Sequence, residues 1–98
     1  MVLHPAPEPA RPVVAILHGA LVDLFPGIER RVALDAATVD ELIDALDARW
    51  PGMRDRICDS RPAIRRHMNV FVDGRRATLD TPLKPGDEVF ILTAISGG

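Results

Sequence analysis

Short apolar runs with a two-residue period lie on both sides of one run with a helical period, and this order most constrains the fold. Val13 to His18 is apolar and partly β-branched, and in Ile28 to Leu34 apolar residues alternate with charged ones. Both patterns indicate strands. Gly19 to Gly27 connects them and contains the turn signal Pro26-Gly27. We therefore predict that the two strands pair as an antiparallel hairpin.

A single amphipathic helix is predicted to begin at Thr38. Thr38 and Glu41 fit a capping box, in which each side chain satisfies a free backbone donor of the other residue. Pro51-Gly52 ends the helix, and Met53 to Cys58 has room for one further helical turn. One apolar stripe follows from the helical spacing of Val39, Leu42, Ile43, Leu46 and Trp50. The opposite side is interpreted as a solvated face that carries Asp40, Asp44 and Asp47.

Three more extended segments follow the helix. His67 to Val72 is predicted as a strand closed by the turn Asp73-Gly74, Arg76 to Leu79 as a short strand or bridge, and Glu88 to about Thr93 as the final strand. A helix with one apolar stripe must cover one face of one sheet. A right-handed crossover brings the first and last strands together in parallel. These rules predict an α+β fold of the β-grasp type, with a mixed four- to five-stranded sheet and one main helix packed on one face.

Length and composition indicate one soluble domain. The chain has 98 residues, which suffices for a single core, and its one cysteine allows no internal disulfide. Residues 1–12 carry four prolines and are predicted to form a flexible arm, which leaves residues 13–98 as the domain. The first residues do not resemble a signal peptide, and no apolar run is long enough to span a membrane. A cytoplasmic location is the default expectation.

Arginine is concentrated in one part of the chain. Between Arg49 and Arg76 there are eight arginines and three aspartates, a net charge of +5, whereas the remaining residues carry −7. One interpretation is a solvated basic edge. The other is a docking surface for an acidic partner, where such charges would mainly raise the association rate.

No pattern typical of an active site or a metal site occurs in the sequence. There is no phosphate-binding loop, no HExxH and no cysteine pair for zinc or an iron–sulfur cluster. His4, His18 and His67 lack ligand spacing, and Cys58 is interpreted as a small buried hydrophobe. We therefore predict no catalytic residue, no metal ligand and no bound cofactor in this chain.

Strand alternation separates a core face from an open face of the predicted sheet. Val70 and Val72, with Val89 and Ile91, suit the side covered by the helix. The opposite side carries an apolar set, and a contiguous exposed apolar patch marks a partner site. We predict that this docking patch consists of Phe71, Phe90 and Leu92.

The sequence ends on two glycines directly after the predicted final strand. Glycine has no side chain, so a Gly-Gly end can thread a narrow channel and present a backbone carboxylate in a partner's site. The hypothesis is that the carboxylate of Gly98 is the functional group and that Ile95, Ser96 and Gly97 form the threading segment.

Four features together resemble the MoaD/ThiS family of ubiquitin-like sulfur carriers. They are the order of elements, the phrase from Asn69 to Gly74, the phrase from Leu83 to Val89, and the Ile95-Ser96-Gly97-Gly98 end. The resemblance covers about residues 13–98. Within the family, this chain has a long form with the NVFVDG phrase. In this it is similar to the carrier used in thiocarboxylate-dependent cysteine synthesis.

The resemblance implies a non-catalytic role as a sulfur-carrying co-substrate. A ubiquitin-activating-type enzyme would use ATP and magnesium to adenylate Gly98, and a sulfur donor would displace AMP to leave a thiocarboxylate. The sulfur acceptor would be a synthase, either a cysteine synthase or the large subunit of molybdopterin synthase. In the latter case the chain would be the small subunit of molybdopterin synthase.

Two further classes of function remain open at the level of sequence. A ubiquitin-like protein modifier would join Gly98 to lysines of other proteins. A nucleic-acid-binding module would use the arginine segment, but that segment lacks interleaved aromatic residues and the net charge is −2, so we expect no nucleic-acid partner. A membrane partner is not expected either.

Overall fold

The first and last described strands run side by side, in parallel, at the centre of one mixed sheet. The structure is a computed structural model that describes residues 12–93. Its elements in chain order are β1 (Val13–His18), α1 (Ala20–Asp23), β2 (Arg31–Leu34), α2 (Val39–Arg49), α3 (Met53–Ile57), β3 (Met68–Val72), β4 (Arg75–Arg76) and β5 (Glu88–Thr93). The sheet order is β2-β1-β5-β3-β4. The predicted β-grasp fold is confirmed.

The pairing register fixes which side of each strand meets the core. β1 pairs with β5 in parallel from Val14 opposite Glu88 to His18 opposite Leu92. β5 pairs with β3 antiparallel, and β1 pairs with β2 antiparallel as the predicted hairpin. Because side chains alternate between faces, one residue of slippage would exchange the buried and open sets.

Helix α2 begins where the sequence predicts. Thr38 is the N-cap, and its Oγ1 accepts a hydrogen bond from the Glu41 backbone N–H at 3.2 Å. The reciprocal half of the predicted capping box is wrong, because the Glu41 carboxylate accepts from the Thr38 hydroxyl at 3.5 Å. The free N–H groups of Val39 and Asp40 instead donate to backbone carbonyls of residues 81 and 79, so the segment after β4 caps the helix.

The core lies between the helices and one face of the sheet. The apolar stripe of α2 is confirmed, since Val39, Leu42, Ile43 and Leu46 are fully buried and Trp50 is half-buried. From the sheet, the alternate residues that meet this stripe include Ala15, Leu17, Val70, Val89 and Ile91. The predicted short turn after Pro51-Gly52 is α3, which adds buried Met53 and Ile57.

The segment between β1 and β2 differs from the prediction. We predicted a plain connection from Gly19 to Gly27, but it contains the short helix α1. The second strand begins at Arg31 and not at Ile28, because the Ile28 N–H donates back to the Phe25 carbonyl at 3.1 Å in a turn. Two other strands also differ from the prediction: β3 begins at Met68, and β4 covers Arg75–Arg76 in place of the predicted Arg76 to Leu79.

The acidic face of α2 is more structured than the predicted solvated face. Asp40 and Asp44 form ion pairs with Arg54 at 2.6 and 2.8 Å. Asp47 Oδ1 accepts from the backbone N–H groups of Gly52 and Arg54, at 3.1 and 3.0 Å, and so caps the start of α3. These contacts tie α3 to α2.

The fold makes a direct prediction for core and surface leucines. Leu42→Ala removes a fully buried side chain between helix and sheet and should lower the free energy of unfolding by about 2–5 kcal/mol. Leu24→Ala is the matched control, because Leu24 is 48% exposed, and it should cost less than about 1 kcal/mol. Urea unfolding measures both. Equal costs would contradict the position of Leu42 in the core.

Candidate functional site

The face of the sheet away from the helices carries a half-buried apolar row. The pairing places Ile16 opposite Phe90 and Phe90 opposite Phe71, so three apolar side chains lie in line across β1, β5 and β3. All three are half-buried, whereas their chain neighbours on the other face are buried. The row is therefore apolar surface that the helices leave uncovered.

Leu92 lies on the same face as this row, two residues after Phe90 on β5. It pairs with His18 on one side and Asn69 on the other, and it is half-buried. We call Phe71, Phe90 and Leu92 the open-face patch. The predicted placement of these three side chains on the uncovered face agrees with the structure, and their role in docking stays a prediction.

Polar groups surround the open-face patch. The His18 ring stacks on Phe90, with ring centroids 6.3 Å apart and planes 8° apart. The Arg76 guanidinium lies over the Phe71 ring, 5.6 Å from its centroid. Near the start of β5, on the side of Phe90 away from Leu92, Arg31 forms an ion pair with Glu88 at 3.0 Å. An apolar centre with a polar rim is typical of protein–protein interfaces.

The end of β5 is fastened to the start of α1. Thr93 Oγ1 accepts a hydrogen bond from the Ala20 N–H at 3.0 Å. Gly19, just before, has φ +75° and ψ −153°, a region that is essentially restricted to glycine. A Cβ at Gly19 would lie 2.5 Å from Thr93 Oγ1, so glycine is also required for the close approach. We call this contact the Thr93 latch.

Sequence reasoning located some of these residues and missed others. Strand alternation found the open-face patch, and the same alternation could have found Ile16. The Thr93 latch had no local signal, because its partners lie 73 residues apart in sequence. The predicted functional carboxylate of Gly98 and the predicted threading segment, Ile95 to Gly97, lie outside the described residues.

Cys58 is buried, as predicted. Desolvation by burial raises the pKa of its thiol, which keeps the sulfur protonated near neutral pH. Within residues 12–93, no three His, Cys, Asp or Glu side chains group closely enough to hold a metal ion. None of the helices in that range has the length and apolar character needed to cross a bilayer.

Comparison with known proteins places this chain in a family. The sequence matches the ThiS family over residues 17–98. Small archaeal modifier protein 1 of Haloferax volcanii is 33% identical over 69 residues, which are 69% of this chain and 79% of that protein.

Solved structures share this fold. The Amycolatopsis orientalis BexX/CysO complex contains a chain that is 29% identical, with a TM-score of 0.76 over 88% of this chain and 99% of that one. Mycobacterium tuberculosis CysO has a TM-score of 0.73 over 85% of this chain and 99% of that one. At 24% identity, this second likeness is evidence of the fold alone.

The Thr93 latch predicts a coupling between two distant positions. Gly19→Ala should lower the free energy of unfolding by about 1–3 kcal/mol, through backbone strain and the clash with Thr93 Oγ1. In a Thr93→Ala background the clash is removed, so the cost of Gly19→Ala should fall by about 0.5 kcal/mol or more. Chemical denaturation of the four proteins of this cycle measures the coupling.

Gly27→Ala is the matched control for the latch. Gly27 has φ +77°, but a Cβ there would meet nothing within 4 Å. Gly27→Ala should lower the free energy of unfolding by the same amount whether position 93 is Thr or Ala. Full additivity of Gly19→Ala and Thr93→Ala would contradict the latch.

Proposed function

The chain belongs to the ThiS family of ubiquitin-like sulfur carriers, and on that premise we propose that Gly98 carries sulfur for biosynthesis. A ubiquitin-activating-type enzyme adenylates the Gly98 carboxylate with ATP and magnesium. A sulfur donor then converts it to a thiocarboxylate, which supplies sulfur to a synthase in cysteine synthesis. The steps take place in the cytoplasm, and the chain acts as a co-substrate that is consumed and recharged.

The chemistry explains why activation is needed. A terminal carboxylate has an ordinary pKa of about 3.3–3.7, so it is ionised near neutral pH and a poor electrophile. When a carboxylate oxygen attacks the α-phosphorus of ATP, pyrophosphate leaves and an acyl-adenylate forms. A sulfide-level donor attacks the carbonyl carbon of that adenylate, and AMP leaves. The product is a thiocarboxylate with a nucleophilic sulfur.

The observation that carries the proposal is the position of Thr93, the last residue of β5. Thr93 ends the strand at the centre of the sheet, fastened to α1 and next to Leu92 of the open-face patch. The chain segment that leads to Gly98 therefore starts beside the surface that suits a partner. The CysO chain that resembles this one was solved in a complex with BexX, which supports docking of the folded body on a partner.

Binding through the tail alone would be weak. Ordering four residues costs about 1–2 kcal/mol each, or about 4–8 kcal/mol in all. A micromolar complex has a total binding free energy of only about 8 kcal/mol. A folded docking surface must supply the remaining binding free energy, and the open-face patch is the apolar surface next to Thr93, the last described residue.

The docking role predicts the effect of a charge in the open-face patch. Phe71→Asp should weaken binding to the activating enzyme by about tenfold or more, because it puts a charge in the apolar centre of the interface. The fold should remain, since Phe71 is half-buried and lies on the uncovered face. Calorimetric titration and circular dichroism measure the two effects.

Ala48→Asp is the control for added charge. Ala48 is exposed on α2, across the sheet from the patch. The Ala48→Asp variant should therefore bind the activating enzyme as tightly as the unchanged chain does. Unchanged binding by Phe71→Asp would contradict the docking role. Unfolding of Phe71→Asp would instead assign Phe71 to the core.

Loss of Gly98 tests the carrier role in the source organism. A chain that ends at Gly97 should fail to support growth without added cysteine, and cysteine should restore growth. If cysteine has no effect and molybdenum-enzyme activity is lost, the chain is the small subunit of molybdopterin synthase. Normal growth and normal molybdenum-enzyme activity would contradict the carrier proposal.

A protein-modifier role is the second candidate. It is supported by the 33% identity to a protein named small archaeal modifier protein 1. In that role the adenylated Gly98 would form an isopeptide bond with a lysine amine of another protein. Mass spectrometry of digested cell extracts would then find the C-terminal peptide of this chain on lysines.

A further inference from the structure

A cleft opens at the β4 edge of the sheet, on the side away from β2. It has a volume of about 450 Å³ and lies between the loop of residues 59–66 and the segment that follows β4. Its lining has an apolar part made by buried Met68, Val70 and Ala77 and half-buried Ile64 and Leu79. We call this space the edge cleft.

The rest of the edge-cleft lining is mainly positive. Arg65 and Arg66 line it, against one exposed carboxylate, that of Asp80. Arg76 lines it as well, but Arg76 pairs with Phe71 across the strands and its guanidinium lies over that ring, on the open face. The lining also includes Asp40 and Arg54, but these pair with each other. Arginine at a partly apolar site is suited to binding carboxylates, because its planar guanidinium offers two parallel donors.

Arg66 has no acidic partner among residues 12–93, and Arg65 has only a long contact with Asp55, at 3.8 Å. Arg65 also donates from Nε to the Asp55 carbonyl at 2.8 Å, which holds its side chain in place. The edge cleft therefore has positive charge, that of Arg66, which no ion pair among the described residues neutralises.

The loop that forms one wall is held by its own contacts. The Asp59 carboxylate accepts from the backbone N–H groups of Arg61 and Ala63, at 2.9 and 3.1 Å. A further hydrogen bond from the Arg61 side chain lowers the pKa of Asp59 to about 2, so these bonds persist across the neutral range. At the other end of the loop, the Arg65 N–H donates to the Ile57 carbonyl at 2.8 Å. The loop is therefore held in place by contacts of its own residues.

The mixture of charge and apolar surface selects the class of ligand. An inorganic anion would use the arginines but leave the exposed parts of Ile64 and Leu79 in contact with water. A peptide with carboxylates and an apolar side chain would use both. We propose that the edge cleft binds an extended acidic segment of a partner protein, with an apolar side chain against Ile64 and Leu79.

Arg76 connects this surface to the open-face patch. It lines the edge cleft, and its guanidinium lies over the Phe71 ring. β4 is only two residues long, so the surface continues around a short edge. A partner seated on the open-face patch can therefore extend an acidic segment into the edge cleft. This extension from the open-face patch rests on the docking role proposed above. Binding of an acidic segment in the edge cleft does not depend on that role.

A peptide titration tests the proposal directly. The probe is the acetylated, amidated peptide Glu-Asp-Leu-Glu-Asp-Leu, added to the full ¹⁵N-labelled chain at low salt. The amide signals of Met68, Ala77 and Leu79 should shift. Arg66→Glu should weaken binding by about fivefold or more, and Arg56→Glu by less than about twofold. Both arginines are exposed and both changes alter the charge equally, but Arg56 is not part of the cleft lining.

Three results would overturn the proposal. They are equal weakening by Arg56→Glu, equal affinity for the neutral peptide Gln-Asn-Leu-Gln-Asn-Leu, or the same shifts and affinity with inorganic pyrophosphate. If Arg66→Glu disturbs signals far from the edge cleft, Arg66→Gln against Arg56→Gln repeats the comparison. The titration does not involve Gly98, so its failure would leave the sulfur-carrier proposal unaffected.

Discussion

The parallel pairing of β1 with β5 is the constraint on which the rest of this structure depends. It puts the last described strand in the middle of the sheet, with β1 on one side and β3 on the other. A central strand is fixed by both neighbours, so the register of β5 determines the core and the open face together. Because side chains alternate along β5, Val89 and Ile91 face the core, whereas Phe90 and Leu92 face the open side.

This arrangement links stability to the proposed function. The residues that fold the domain and those that form the open-face patch alternate along the same strands, so neither set can shift without the other. At its end, β5 is fixed by the Thr93 latch, and the position from which the chain continues toward Gly98 is set by the fold. A rigid body of this kind fixes the point from which the chain continues relative to the open-face patch.

The sequence predicted the features that depend on local periodicity. The bounds of β1 and β5 agree with the prediction, the α2 stripe is buried, and the parallel central pair follows from the order of elements. Two of the features that it missed depend on distant contacts. Helix α1 receives its cap from Thr93, 73 residues away, so Ala20 to Asp23 had no local start signal. Arg54 likewise pairs with two aspartates of α2 only because α3 folds back onto that helix.

The central claim is that the carbonyl carbon of Gly98 is the atom on which partner enzymes act. The most direct test is the intact mass of the full chain after incubation with a ubiquitin-activating-type enzyme, ATP, magnesium and sulfide. The account predicts a mass gain that matches the replacement of one oxygen by sulfur, with fragmentation placing the change on Gly98. An unchanged mass, with an activating enzyme that sulfurates its own carrier under the same conditions, would contradict it.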